Sequence, residues 1–120
     1  MSLVISIRQH RNISIVDLRG RITIGADTDS FGTELRELTA ITPCNILLNL
    51  TEVTQMDSTG INELVHSYAR AARRGGSLKL LNPTGYVREV LEITHLTECL
   101  PIYTDEAEAL ASFGGTAAHA

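Results

Sequence analysis

The stretch that decides the fold is Gln55-Met56-Asp57-Ser58-Thr59-Gly60, which joins two segments of different hydrophobic pattern. Upstream, residues 46–50 (Ile-Leu-Leu-Asn-Leu) are typical of a strand that is buried on both faces. Downstream, apolar residues repeat with the spacing of one helical face, at Ile61, Leu64, Val65, Tyr68, Ala69 and Ala72. The sequence therefore predicts that the strand ends before this stretch and that an amphipathic helix runs from about Ser58 to Arg74.

Elements on both sides continue the alternation of strands and helices. They are strands at 3–7 and 13–18, a helix that buries Phe31, Leu35, Leu38 and Ile41, strands at 77–81 and 100–103, a short helix around Val87, and a last helix to about Phe113. Gly20 indicates a bulge or a close backbone approach near the second strand. The order β-β-α-β-α-β-α-β-α predicts an α/β domain with about four helices and a mixed, mostly parallel sheet of four to five strands, edged by an antiparallel hairpin.

Length and composition fit one domain in a chain of 120 residues with 43% apolar side chains. We expect the domain to span residues 1–113 and the small, polar residues 114–120 to form a disordered tail. The net charge of −4 offers no basic patch for nucleic acid. The sequence contains no apolar run long enough for a membrane span and no signal-peptide pattern, so we expect a cytoplasmic protein.

Catalytic motifs are not supported by the residues around Ser58. A nucleophile elbow, G-x-S-x-G, would need glycine where Met56 stands, and the later histidines His66, His95 and His119 offer no persuasive general base. No spacing of His and Cys suits a metal, and no glycine-rich phosphate loop is present in the sequence. We therefore expect no enzyme activity, no metal and no cofactor.

Two interpretations of the stretch from Asp57 to Gly60 remain open from the residues alone. The first is a helix N-cap, with Asp57 or Ser58 as the capping side chain, worth ~1 kcal/mol. The second is a regulatory site, because the N–H groups and dipole of a helix start stabilise a phosphate on Ser58 while Asp57 opposes it. Gly60 would then leave room for a partner to approach. The two interpretations are compatible.

Several segments together resemble a STAS domain, and within that family the bacterial anti-sigma-factor antagonists. The likeness covers about residues 3–113. The segments are 18–22 (Leu-Arg-Gly-Arg-Ile), 49–50 (Asn-Leu), 56–61 (Met-Asp-Ser-Thr-Gly-Ile), 75–76 (Gly-Gly) and 78–81 (Leu-Lys-Leu-Leu).

The resemblance implies a partner switch in the regulation of transcription, such as a stress response. The unphosphorylated protein would bind an anti-sigma factor that is also a serine kinase, and so release a sigma factor. That kinase would phosphorylate the serine after the aspartate, here Ser58 rather than Thr59, and a serine phosphatase would reverse the step. We expect a monomer or weak homodimer. The alternative within the family is a STAS subunit that regulates a transporter or signalling enzyme without phosphorylation, and outside it a small enzyme or nucleotide-binding protein.

The resemblance also implies a partner-binding surface on both sides of Ser58. The expected residues are Thr23, Ile24, Asp57, Ser58, Thr59, Gly60, Ile61 and Asn62. Two of them depart from the usual family pattern. Thr23 stands where members usually carry an acidic residue, and Asn62 stands where glycine is frequent.

Overall fold

Five strands form one mixed sheet in the computed structural model, which describes residues 3–41 and 44–117. The strands are β1 (Val4–His10), β2 (Ile13–Ile22), β3 (Asn45–Met56), β4 (Ser77–Leu81) and β5 (Ile102–Tyr103), side by side in chain order. Strand β1 pairs antiparallel with β2, and every later pair is parallel. The predicted fold class, one α/β domain with a mostly parallel sheet and an antiparallel edge hairpin, is confirmed.

Four α-helices connect or follow the strands in the described part of the chain. They are α1 (Ala26–Thr39), α2 (Ser58–Arg73), α3 (Gly85–Ile93) and α4 (Glu106–Ala117), with a 3-10 turn at Leu96–Glu98. Helix α4 continues past Phe113, where the sequence predicted its end, so the structure places residues 114–117 in a helix. The rest of the expected tail, residues 118–120, lies outside the described residues.

The core lies on both faces of β3, because successive residues of a strand point in opposite directions. Ile46 and Leu48 belong to the larger buried cluster, which helices α1, α2 and α3 cover. Leu47 belongs to a smaller cluster on the other face, which includes Ala109 and Phe113 of α4. The prediction of a central strand buried on both faces is therefore confirmed.

Strand β3 is longer than predicted and continues to Met56. Its second half pairs with β2, with Ile22 opposite Met56, while its pairing with β4 ends at Asn49. The register between β2 and β3 shifts on both sides of Gly20, whose φ is 110°. This irregularity confirms the bulge that Gly20 indicated, and it carries β2 and β3 beyond the rest of the sheet as a two-stranded ribbon.

Helix α2 turns a different stripe to the sheet than the apolar repeat predicted. Val65 is 39% exposed and Ala72 is exposed, although both were expected to face inward. The fully buried stripe is instead Gly60, Leu64, Ser67 and Ala71. Three of these four side chains are small or absent, which lets the helix axis approach the sheet closely and moves the longer apolar residues to its flanks.

Candidate functional site

Asp57 is the N-cap of α2, and its side chain satisfies two of the four backbone N–H groups that a helix start leaves free. Its Oδ1 accepts hydrogen bonds from the N–H of Thr59 at 3.0 Å and of Gly60 at 3.3 Å. Its own N–H donates to the carbonyl of Ile22 at 3.2 Å. Of the four N–H groups at the helix start, the one left without a partner within the described residues is that of Ser58.

The second carboxylate oxygen of Asp57 holds a different part of the chain. Asp57 Oδ2 accepts a hydrogen bond from the N–H of Ile24 at 2.8 Å, in the connection between β2 and α1. The Thr59 hydroxyl, followed by the N–H groups of Ile24, Gly60 and Thr59, holds the pKa of the Asp57 carboxyl below its usual value. Asp57 is therefore an ionised group that joins the helix start to this connection.

Ser58 is the first residue of α2, and its side chain is exposed. Its hydroxyl has no hydrogen-bond partner among residues 3–41 and 44–117. The neighbouring hydroxyl of Thr59 is engaged instead, because it donates to Asp57 Oδ1 and lies 2.8 Å from Thr28 Oγ1. Of the two adjacent hydroxyl groups, the one on Ser58 is accessible and chemically free.

Gly60 faces the interior of the protein. A Cβ added there would lie 2.7 Å from Met56 Cγ, 2.9 Å from Ile22 Cγ2 and 3.1 Å from the Ile22 carbonyl. The missing side chain therefore makes room for the ends of β2 and β3. Clearance for an approaching partner, which the sequence suggested for Gly60, does not explain a glycine at this buried position.

The other residues expected at the partner surface are only partly gathered around Ser58. Ile24 is 77% exposed and is tied to the site through its N–H. Thr23 is half-buried, and its carbonyl accepts a hydrogen bond from the Thr28 hydroxyl at 2.6 Å. Asn62 is exposed on α2, whereas Ile61 is half-buried and packs against the core.

Tyr86 at the start of α3 is a neighbour of the site that sequence reasoning missed. It is 57% exposed and lines a groove of about 430 Å³ together with Thr23, Thr54, Gln55, Met56 and Asp57. An exposed aromatic ring beside the proposed contact surface is a typical interface residue. Tyr86 is brought to this groove by tertiary packing, and the local sequence around it carries no signal of that.

The described residues contain neither a grouping of three His, Cys, Asp or Glu side chains that would hold a metal ion nor a helix long and apolar enough to cross a membrane. What the site presents is a free hydroxyl, an ionised carboxylate, an exposed aliphatic side chain and a shallow groove. Such an arrangement suits recognition by another protein.

Comparison with known proteins then decides the family. Residues 4–109 match the model of the STAS domain. The chain belongs to the STAS domain family. The predicted likeness to this family is thereby confirmed over nearly the whole length of the chain.

Relatives of this STAS domain include anti-sigma-factor antagonists. An anti-sigma F factor antagonist of Paenibacillus polymyxa is 28% identical over 111 residues, which cover 92% of this chain and 94% of that protein. The structure of an anti-sigma factor antagonist from Mycobacterium paratuberculosis matches with a TM-score of 0.81 at 20% identity, covering 93% of this chain and 94% of that one.

The anti-sigma factor antagonist SpoIIAA of Bacillus has a similar structure in its unphosphorylated form. The TM-score is 0.78 at 22% identity, and the match covers 93% of this chain and 97% of that one. At this level of identity the two structural matches show a shared fold.

Proposed function

We propose that this STAS domain is an anti-sigma-factor antagonist that acts in the cytoplasm by binding a partner, as a monomer or weak homodimer, and not as an enzyme. In its unphosphorylated form it binds an anti-sigma factor that is also a serine kinase, and so releases a sigma factor. Phosphorylation of Ser58 by that kinase ends the complex, and a phosphatase restores it. The relationship to an anti-sigma F factor antagonist supports this role.

The observation that carries the proposal is the difference between two adjacent hydroxyl groups. The Ser58 hydroxyl is exposed and unbonded within the described residues, whereas the Thr59 hydroxyl donates to Asp57. A kinase that reaches this surface can phosphorylate the Ser58 hydroxyl without breaking a hydrogen bond. Phosphorylation of Thr59 would first remove a hydrogen bond from the cap of α2.

Charge explains how one phosphate would end a complex. A phosphoserine carries about −1.5 to −2 at neutral pH, and here it would stand beside the ionised Asp57. For charges of −2 and −1 held ~6 Å apart, the repulsion is ~1.4 kcal/mol in water and ~5.5 kcal/mol at the effective dielectric constant of ~20 near a protein surface. Free in water, the modified protein is stable. When a partner covers the site, the repulsion rises by about 4 kcal/mol relative to the free protein, which corresponds to a roughly thousandfold lower affinity of the phosphorylated form.

The surface around Ser58 adds a desolvation cost to this repulsion. Ile24 and Tyr86, both largely exposed, stand near the site as apolar contacts for a partner. Asp57 accepts hydrogen bonds from Thr59, Gly60 and Ile24 and contacts no Lys or Arg side chain in the part of the chain that the structure describes. A phosphate on Ser58 would lose its hydration when a partner covers this surface, which adds to the cost of binding.

Phosphorylation is tested with the candidate kinase and labelled ATP. We expect one phosphate per chain, located on Ser58 by peptide mass spectrometry, and no incorporation into Ser58→Ala. The matched control is Ser6→Ala, which removes an exposed hydroxyl from the edge strand β1. Uptake by Ser58→Ala equal to that of Ser6→Ala would exclude the proposed site.

Binding is measured by calorimetry with the unphosphorylated and phosphorylated proteins against the same kinase. Equal affinities of the two forms would contradict the proposal that phosphorylation ends the complex. A pull-down from native lysate addresses the alternative function, because recovery of a transporter or a signalling enzyme without any kinase would favour a STAS subunit that works without phosphorylation.

A further inference from the structure

A closed ring of hydrogen bonds links the start of α2 to the connection between β2 and α1. Asp57 Oδ2 accepts from the Ile24 N–H at 2.8 Å, and Asp57 Oδ1 accepts from the Thr59 hydroxyl. Thr59 Oγ1 lies 2.8 Å from Thr28 Oγ1, and the Thr28 hydroxyl donates to the Thr23 carbonyl at 2.6 Å. The ring closes because Thr23 and Ile24 are adjacent in the chain.

The ring has fewer protons than contacts among its hydroxyl groups. A threonine hydroxyl carries one proton. The Thr23 carbonyl and the ionised carboxylate of Asp57 can only accept, so the hydroxyls of Thr28 and Thr59 must serve three contacts with two protons. Either the contact between the two hydroxyls lacks a proton, or one of the two acceptors loses its hydroxyl donor and keeps its backbone N–H donor. The hydrogen bonding of the connection and that of the helix cap are therefore interdependent.

We infer that Thr28 is a positioning residue that fixes Ile24 beside Ser58 and thereby sets the affinity of the site for its partner. The inference rests on the proposed function. Thr28 acts through its hydroxyl, which bridges the Thr23 carbonyl and Thr59. Ile24, whose side chain is exposed, is tied through its N–H to Asp57, the residue that precedes Ser58 in the chain.

The variant Thr28→Val isolates the hydroxyl. Valine has a similar shape, and the separate hydrogen bond from the residue 28 N–H to the Thr23 carbonyl, 3.2 Å long, is kept. Thr28→Ser restores a hydroxyl without the methyl group. The control is Thr33→Val, which removes an exposed hydroxyl from the same helix, where it accepts only a 3.4 Å hydrogen bond from Arg36.

Two measurements follow the effect, and the first needs no partner. Amide exchange by NMR reports whether the Ile24 N–H stays bonded to Asp57. Loss of one neutral hydrogen bond predicts about fivefold faster exchange of this amide in Thr28→Val. Calorimetry against the kinase that phosphorylates Ser58 is expected to show about fivefold weaker binding. Thr28→Ser and Thr33→Val are expected to behave as the unmodified protein in both measurements.

The outcomes separate this inference from the proposed function. Unchanged exchange of the Ile24 amide in Thr28→Val would show that Thr28 does not hold the connection and would overturn the inference. Faster exchange with unchanged affinity would reduce Thr28 to a structural role and would overturn it as well. If the unmodified protein binds no kinase, the proposed function fails, and the exchange rates alone decide whether Thr28 holds Ile24 in place.

Discussion

The substitution Gly60→Ala distinguishes a packing role for this glycine from a role in partner access. The new Cβ would lie 2.7 Å from Met56 Cγ and 2.9 Å from Ile22 Cγ2, closer than carbon atoms approach without displacement. The third neighbour, the Ile22 carbonyl at 3.1 Å, belongs to the backbone of β2 and accepts the Asp57 N–H. Relief of these contacts requires movement of α2 away from the ribbon.

The expected magnitude follows from two opposing effects. Insertion of a methyl group into a packed core costs ~1–3 kcal/mol. Alanine in a helix is favoured over glycine by up to ~1 kcal/mol. We therefore expect Gly60→Ala to lower the free energy of unfolding by about 1–2 kcal/mol and the melting temperature by about 4–8 °C, measured by urea denaturation and calorimetry.

The matched control is Gly32→Ala in α1. There the nearest atoms to the added Cβ, at 2.9–3.1 Å, are the ends of the flexible side chains Glu63 and Arg36, which can turn aside. We expect Gly32→Ala to be neutral or slightly stabilising. If Gly60→Ala were as stable as Gly32→Ala but failed to bind the partner, the packing argument would be refuted and the role in partner access restored.

Three further predictions concern the cap, a second glycine and an ion pair. Asp57→Asn should reduce the loss of folding free energy at acid pH. Because the pKa of Asp57 is lowered in the folded protein, its stabilisation is present above the unfolded value of 3.8 and is lost as pH falls through the folded pKa. Urea denaturation at several pH values would measure this difference. Gly76→Ala should yield little folded protein by circular dichroism, because its Cβ would lie 1.7 Å from the Cys44 carbonyl oxygen. Arg8→Gln should raise the pKa of Asp17, which Arg8 lowers through hydrogen bonds of 2.6 and 2.9 Å; an unchanged carbon-13 NMR titration would contradict this.

The sequence predicted those parts of the fold in which buried positions are marked by neighbouring apolar residues. Residues 46–50 are apolar except for Asn49, and they belong to a strand with a strand neighbour on each side and helices on both faces. The polar residues after them, Thr51, Glu52, Thr54 and Gln55, are exposed. In this half of β3 the buried side chains are Val53 and Met56, three positions apart, so no alternating apolar pattern marked it as a strand.

Helix α2 shows a second limit of pattern reading. A hydrophobic repeat identifies the apolar side chains of a helix. Which of its residues pack against the sheet also depends on how closely the helix backbone can approach the strands. Gly60, Ser67 and Ala71 permit that approach, and Val65 does not. A period of 3.6 residues thus predicted the helix correctly and its buried face only in part.

The sequence predicted the central residues of the candidate site but not the contacts that join them to the connection between β2 and α1. Asp57 and Ser58 are recognisable because helix starts favour short polar side chains, and the structure assigns the cap to Asp57. The hydrogen bond that Asp57 accepts from Ile24 and the contact between the hydroxyls of Thr28 and Thr59 join residues about 30 positions apart. Such contacts depend on the crossover through α1, and no local pattern records them.

The ribbon formed by the ends of β2 and β3 has a consequence for the local stability of the protein. Beyond Asn49, strand β3 pairs with β2 alone, so one edge of residues 51–56 carries no strand neighbour in the described structure. Backbone amides on such an edge open to solvent at a lower free energy than those in the centre of a sheet. Ser58 follows directly after this edge. A protein that docks there reaches an edge of the sheet that opens more readily than its centre, and its binding would slow amide exchange along residues 51–56 while Ile46 to Leu48 remain protected throughout.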